Sequence, residues 1–170
     1  MGDPVKEFLQ GRRLGFALRS HLAFVAVGIG VCVTLLDLLS WFALGPRDTV
    51  GITAAAMWLA FAAVAASAAA AVTTAAEYVD VPAEERGLAR LDAVAALGAV
   101  LLYALSGTLR TFEPGAAAPS TAPFLLAIAA LVLVLIDAGM AANLYSAREW
   151  EEIEDEMVRE RHPRRRAAGR

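Results

Sequence analysis

The run Ser20–Leu44, SHLAFVAVGIGVCVTLLDLLSWFAL, is long enough to cross a hydrocarbon layer about 30 Å thick, and of Asp, Glu, Lys and Arg it holds Asp37 alone. Three further apolar runs follow, and nearly all charged residues fall between the runs. A soluble helix would break such a run every few residues to keep one face wet. With 58% hydrophobic and 19% charged residues, the 170-residue chain reads as one all-α polytopic membrane domain, a four-helix bundle.

The expected plan has an interfacial amino-terminal segment over 1–19 and a transmembrane domain over 20–146. Its spans are expected at about 20–44, 51–76, 88–109 and 123–146, with a charged helix and basic tail over 147–170. The first run far exceeds the roughly 7–15 residues of a signal-peptide core and lacks a small-x-small cleavage site, so it is expected to stay as a span. Phe8, Leu9, Leu14, Phe16 and Leu18 suggest a short interfacial helix before it. Gly45–Asp48 reads as a turn. The second run is mostly alanine with Ser67, Thr73 and Thr74, a composition suited to close helix packing. In the next loop Asp80 is a candidate helix cap, with Pro82, Glu84 and Glu85 in the first turn behind it. The uncharged part of the third run, Ala93–Leu109, is short, and Arg90 is expected to snorkel. All seven prolines lie outside the runs or at their very ends, which supports the segmentation independently of hydropathy.

Lysine and arginine are divided unevenly: four in the first nineteen residues, Arg86 and Arg90 in the middle loop, and seven from Arg148 onward. The other two loops hold one each, Arg47 and Arg110. The positive-inside rule then puts both termini and the middle loop in the cytoplasm, as an even number of spans requires. Trp41 at one surface and Tyr78, Tyr145 and Trp150 at the other fit interfacial anchors.

Two acids fall inside the runs. Counted from the ends of the apolar runs, Asp37 and Asp137 both come out near mid-bilayer on separate helices, and no run offers a lysine or arginine as counterion. A charge there costs about 2.5–3.5 kcal/mol on insertion scales. Two duties fit. Each acid bonds a Ser, Thr or backbone group of a neighbouring helix, or the pair forms a proton or cation relay or a substrate path. Gly30, Thr34, Ser40 and Trp41 share the Asp37 face, and Thr34 and Ser67 are further polar candidates in the membrane.

His21 is the one histidine near a span and His162 lies in the tail, so a bis-His haem within one chain is nearly excluded, although two copies could pair their His21 residues. No cofactor is predicted. The lone Cys32 allows no intrachain disulfide. In the tail, Trp150, Ile153 and Met157 form a thin apolar stripe suited to a membrane surface or a partner helix, the plainer alternative being a solvated helix that continues from the fourth span. Arg164, Arg165 and Arg166 suit anionic lipid headgroups, at about 1 kcal/mol each. Three arginines beside an acidic helix make a poor phosphate-tracking surface, so nucleic acid is not an expected partner. No phosphate loop, HExxH, GxSxG or Cys/His cluster occurs, and nothing argues for an enzyme.

Three pieces, SHLAFVAVGIGVCVTLLDLLSWF, AAEYVDVP with the Arg-bearing helix start after it, and DAGMAANLYSARE, resemble a family of small bacterial four-span membrane proteins described as a domain of unknown function. The likeness covers roughly residues 15–148. Members often carry His-Pro and a second His in the first helix and a His early in the third, and some are fused to Rieske iron–sulfur domains, which implies redox association. Here His21 is followed by Leu22, and Leu91-Asp92 stand where the third-helix histidine would be. The functional expectation is a non-catalytic accessory or assembly subunit in the bacterial plasma membrane, in contact with lipid and with a membrane-protein partner or its own copies. The alternatives are a small transporter or proton conductor using Asp37 and Asp137, and a haem or redox subunit.

Overall fold

A computed structural model describes residues 4–9, 18–44, 49–78 and 86–161. They form five helices: α1 (Pro4–Leu9), α2 (Leu18–Trp41), α3 (Thr49–Tyr78), α4 (Arg86–Thr111) and α5 (Thr121–Arg161). No strand occurs among the described residues. Leu18–Trp41, Thr49–Tyr78, Arg86–Thr111 and Thr121–Ala142 are each long and apolar enough to cross a membrane, so the chain is an all-α multi-pass bundle. The helices run up, down, up, down. Helix α2 packs on α3 and α5, α4 packs on the same two, and α2 and α4 face each other across the bundle axis. The near end below is the one where α2 begins; the far end is where it stops.

Two of the spans take in charges that border their apolar runs. Helix α2 starts before Arg19, and α4 runs from Arg86 to Thr111, well beyond Ala93–Leu109. The expected spans 20–44 and 88–109 stop short of Arg19 and Arg110, but backbone hydrogen bonding does not stop at a charge. Arg19, Asp92 and Arg110 on these turns are buried, whereas Arg86 and Arg90 are exposed. Helix α5 continues unbroken from the membrane span into the acidic tail, to Arg161. The turn at Gly45–Asp48, the cap at Asp80, and Leu14, Phe16 and Arg164–Arg166 lie outside the described residues.

The interior is built from small side chains. On α2 the buried positions are Arg19, Ala23, Ala26, Gly30, Val33, Asp37 and Ser40, alternating steps of four and three. Helix α4 repeats the rhythm with Asp92, Ala96, Ala99, Tyr103, Ser106 and Arg110. This 3.5-residue spacing is that of helices wound gently around one another. Large apolar side chains point the other way: Trp58 and Leu101 are both 69% exposed, and Phe24 is 56% exposed. In lipid there is no gain in hiding leucine from its surroundings, and small residues win the interior because they let backbones approach. At Gly30 an added methyl would overlap the hydroxyl of Tyr103 and lie 3.1 Å from Leu131 Cδ1. At Gly107 it would lie 3.1 Å from Cε1 of Phe61 on α3.

The far end is tied. Helix α2 stops in a paired cap, with Leu44 N–H donating to Leu39 O at 2.9 Å and Ala43 N–H to Ser40 O at 3.3 Å. This places Ala43 at φ 50°, a left-handed position usually held by glycine. Trp41 Nε1 donates to Pro119 O at 2.7 Å, and its ring packs on Phe124 with centroids 4.7 Å apart. Ser106 Oγ donates to Pro123 O at 2.7 Å, joining α4 to α5. Pro123 stands in the first turn of α5, where its missing N–H would have had no helical acceptor.

Candidate functional site

Two buried ion clusters occupy opposite ends of the bundle. At the near end Arg19 reaches from the first turn of α2 toward an acid on each of the other three helices. Its Nη1 donates to Glu77 Oε2 of α3 at 3.2 Å, and its Nη2 donates to Asp92 Oδ2 of α4. The same Nη2 lies 3.5 Å from Asp137 Oδ1 of α5. The Arg19, Asp92 and Asp137 side chains are 5% exposed or less, whereas Glu77 keeps 17%. Several polar atoms here are buried without a hydrogen-bond partner: Arg19 Nε, Asp92 Oδ1 and Asp137 Oδ1.

At the far end Arg110 of α4 grips Asp37 of α2 with two parallel bonds, Nη1 to Oδ1 and Nη2 to Oδ2, both 2.6 Å. Both side chains are buried, and Arg110 Nε donates to Ser106 Oγ at 3.4 Å. This fork-to-fork geometry gives both carboxylate oxygens a charged donor. A cleft of about 270 Å³ opens beside it, with Val50, Met57, Glu113 and Pro114 on its walls and Arg110 at its lining.

The two clusters share one register. Arg19, Gly30 and Asp37 of α2 stand opposite Asp92, Tyr103 and Arg110 of α4, and each ion pair joins residues 73 positions apart. The signs are swapped: α2 carries its base at the near end and its acid at the far end, and α4 does the reverse. Between the clusters the Tyr103 hydroxyl, seated against Gly30, has no hydrogen-bond partner.

These positions correct the reading of Asp37 and Asp137 as companions at one depth. Arg19 and Asp37 lie eighteen residues apart on α2, about 27 Å along the axis, and Asp137 sits beside Arg19. The expectation that no arginine serves as counterion is also overturned, since both acids have one. The error has a single origin. Arg19 and Arg110 read as residues outside the spans and Asp92 as the charged lead-in to the third, yet each occupies a buried step of its helix.

The other candidates stay separate. Thr34 Oγ1 donates to Gly30 O of its own helix at 3.1 Å. Ser67 is buried on α3, and its Oγ has no hydrogen-bond partner. On the Asp37 face Ser40 is buried, donating to Asp37 O at 2.8 Å, whereas Trp41 is 41% exposed and turned to the α4–α5 loop. His21 is exposed on the first turns of α2, so a group held inside the bundle would not meet it. Cys32 is exposed as well. Among the described residues no group of three His, Cys, Asp or Glu side chains is arranged to hold a metal ion. The near-end acids surround a guanidinium rather than a shared centre.

Sequence reasoning passed over Arg19, Glu77, Asp92, Tyr103 and Arg110 as site residues. The signal that could have found all of them but Glu77 is the swapped pattern on the first and third runs, an Arg-Gly-Asp series and an Asp-Tyr-Arg series at the same spacings. No family model, curated protein or solved structure matches the chain.

Proposed function

We propose that this protein is a non-catalytic accessory or assembly subunit of a membrane complex in the bacterial plasma membrane, with both termini in the cytoplasm. The far-end clasp carries this reading. Both oxygens of Asp37 are consumed by Arg110, and Trp41 and Ser106 tie the α4–α5 connection over the same end. A conductor using Asp37 would need that carboxylate free to exchange partners. Asp37 acts instead as a fastening between helices, which leaves the lipid-facing surface of α2–α5 as the means of contact with other proteins or with further copies. The uneven distribution of Lys and Arg supports the orientation.

The test is recovery of the full chain from native membranes in mild detergent through a carboxyl-terminal tag. A stoichiometric membrane-protein partner or a second copy is the expected result. Proton or solute flux by the chain alone in liposomes, lost in Asp137→Asn, would overturn the accessory reading in favour of a transporter. The acid excess around Arg19 is the observation that favours that second reading. A tag reachable from outside intact cells would reverse the orientation.

A further inference from the structure

The near-end cluster supports more than a fastening. One guanidinium faces three carboxyl groups there, and only Glu77 keeps appreciable exposure. With every acid ionised, the group would carry two uncompensated negative charges at the border of the hydrocarbon, where like charges are costly. Asp92 and Asp137 share the Nη2 of Arg19, which brings the two buried carboxyls together around one donor. Two carboxylates have no hydrogen to place between them, and one protonated carboxyl supplies it. Asp92 Oδ1 and Asp137 Oδ1 are the buried oxygens without a donor.

We propose that Asp92 and Asp137 bind one shared proton at neutral pH, so that the near end of the bundle is a proton-binding site on which α2, α4 and α5 converge. The proton bonds to an oxygen of one carboxyl and is donated to the other, converting one COO⁻ to COOH. Arg19 neutralises the partner that stays ionised, and Glu77 keeps its charge at the wetter edge. The ligand is a proton rather than a metal or alkali cation. A metal cation would need several oxygens facing one point, and among the described residues no three acid side chains are arranged that way. Among the described side chains the remaining charged neighbour on α4, Arg90, is turned to the Tyr78 hydroxyl at 3.3 Å, and His21 on α2 is exposed.

The experiment is infrared spectroscopy of the full chain in phosphatidylethanolamine–phosphatidylglycerol vesicles, with carbon-13 in aspartate or in glutamate. The expected result is a protonated-carboxyl C=O band at neutral pH, about one per chain, that moves with labelled aspartate. It should vanish in Asp92→Asn and in Asp137→Asn, because the acid left behind then pairs with Arg19 alone, and persist in Asp37→Asn and Glu77→Gln. Absence of the band, its movement with labelled glutamate, its loss in Asp37→Asn, or its loss when sodium chloride replaces choline chloride would each overturn the proposal. If the Asn variants do not fold, the labelled native chain still decides.

Discussion

Arg110→Met and Asp37→Asn break the same clasp, yet they should not cost the same. The two bonds are 2.6 Å long between side chains 1% and 0% exposed. Interhelical hydrogen bonds in membranes average about 0.6 kcal/mol and reach about 1.7, so losing this pair of bonds accounts for roughly 1–3 kcal/mol. The rest depends on what is stranded. Asp37 lies four residues inside the end of α2, about 6 Å deep, and its short side chain cannot reach the surface. Arg110→Met should therefore cost about 3–5 kcal/mol, as for other broken buried pairs. Arg110 stands next to last in α4 and has a long stem that can carry its head outward. Asp37→Asn should accordingly cost about 1–3 kcal/mol, little more than the bonds themselves. The double variant strands nothing and should recover at least about 2 kcal/mol of the summed cost. The assay is reversible unfolding in mixed micelles of increasing dodecyl sulfate content, followed by far-ultraviolet circular dichroism. Equal single costs that add to within about 0.5 kcal/mol would refute the clasp.

Gly30→Ala should destabilise by about 1–3 kcal/mol in the same assay, because its methyl overlaps the Tyr103 hydroxyl, and Tyr103→Phe should restore part of the loss. Tyr103→Phe alone should be neutral or stabilising, since the hydroxyl it removes is buried with no partner; clear destabilisation would mean the hydroxyl is bonded after all. Ala43→Gly should stabilise by up to about 1 kcal/mol by relieving a left-handed alanine, and no gain would place the cap elsewhere. Cys32 is exposed on the membrane span of α2 and should react with a lipid-soluble maleimide while resisting a charged one. Rapid labelling by the charged reagent would put that turn in water.

The four spans were legible because a helix in lipid leaves a long uncharged run, and none of the seven prolines interrupts one. The packing of alanine-rich α3 was legible too, since Ser67, Thr73 and Thr74 are all buried. The ion clusters were not. Charges at the border of an uncharged stretch look like its end, which hides Arg19, Asp92 and Arg110 just where helical phase turns them inward. Asp37 and Asp137 were visible as anomalies, but their partners lie on other helices. Depth counted from the edge of a run, rather than from the paired residue, put them together. Glu77 had no signal of its own, because an acid at the foot of a span looks the same whether it faces water or an arginine.

The shared register of α2 and α4 also bears on how this bundle meets membranes of different thickness. Sliding one helix by a single turn, about 5.4 Å, would break both ion pairs and drive the Tyr103 ring off Gly30 together. A bilayer thinner or thicker than the bundle therefore cannot be met by telescoping helices past one another. The four spans must tilt as a block, or the lipid around them must stretch or compress. The protein is thus a ruler of fixed length, and the strain of a poor fit falls on the membrane.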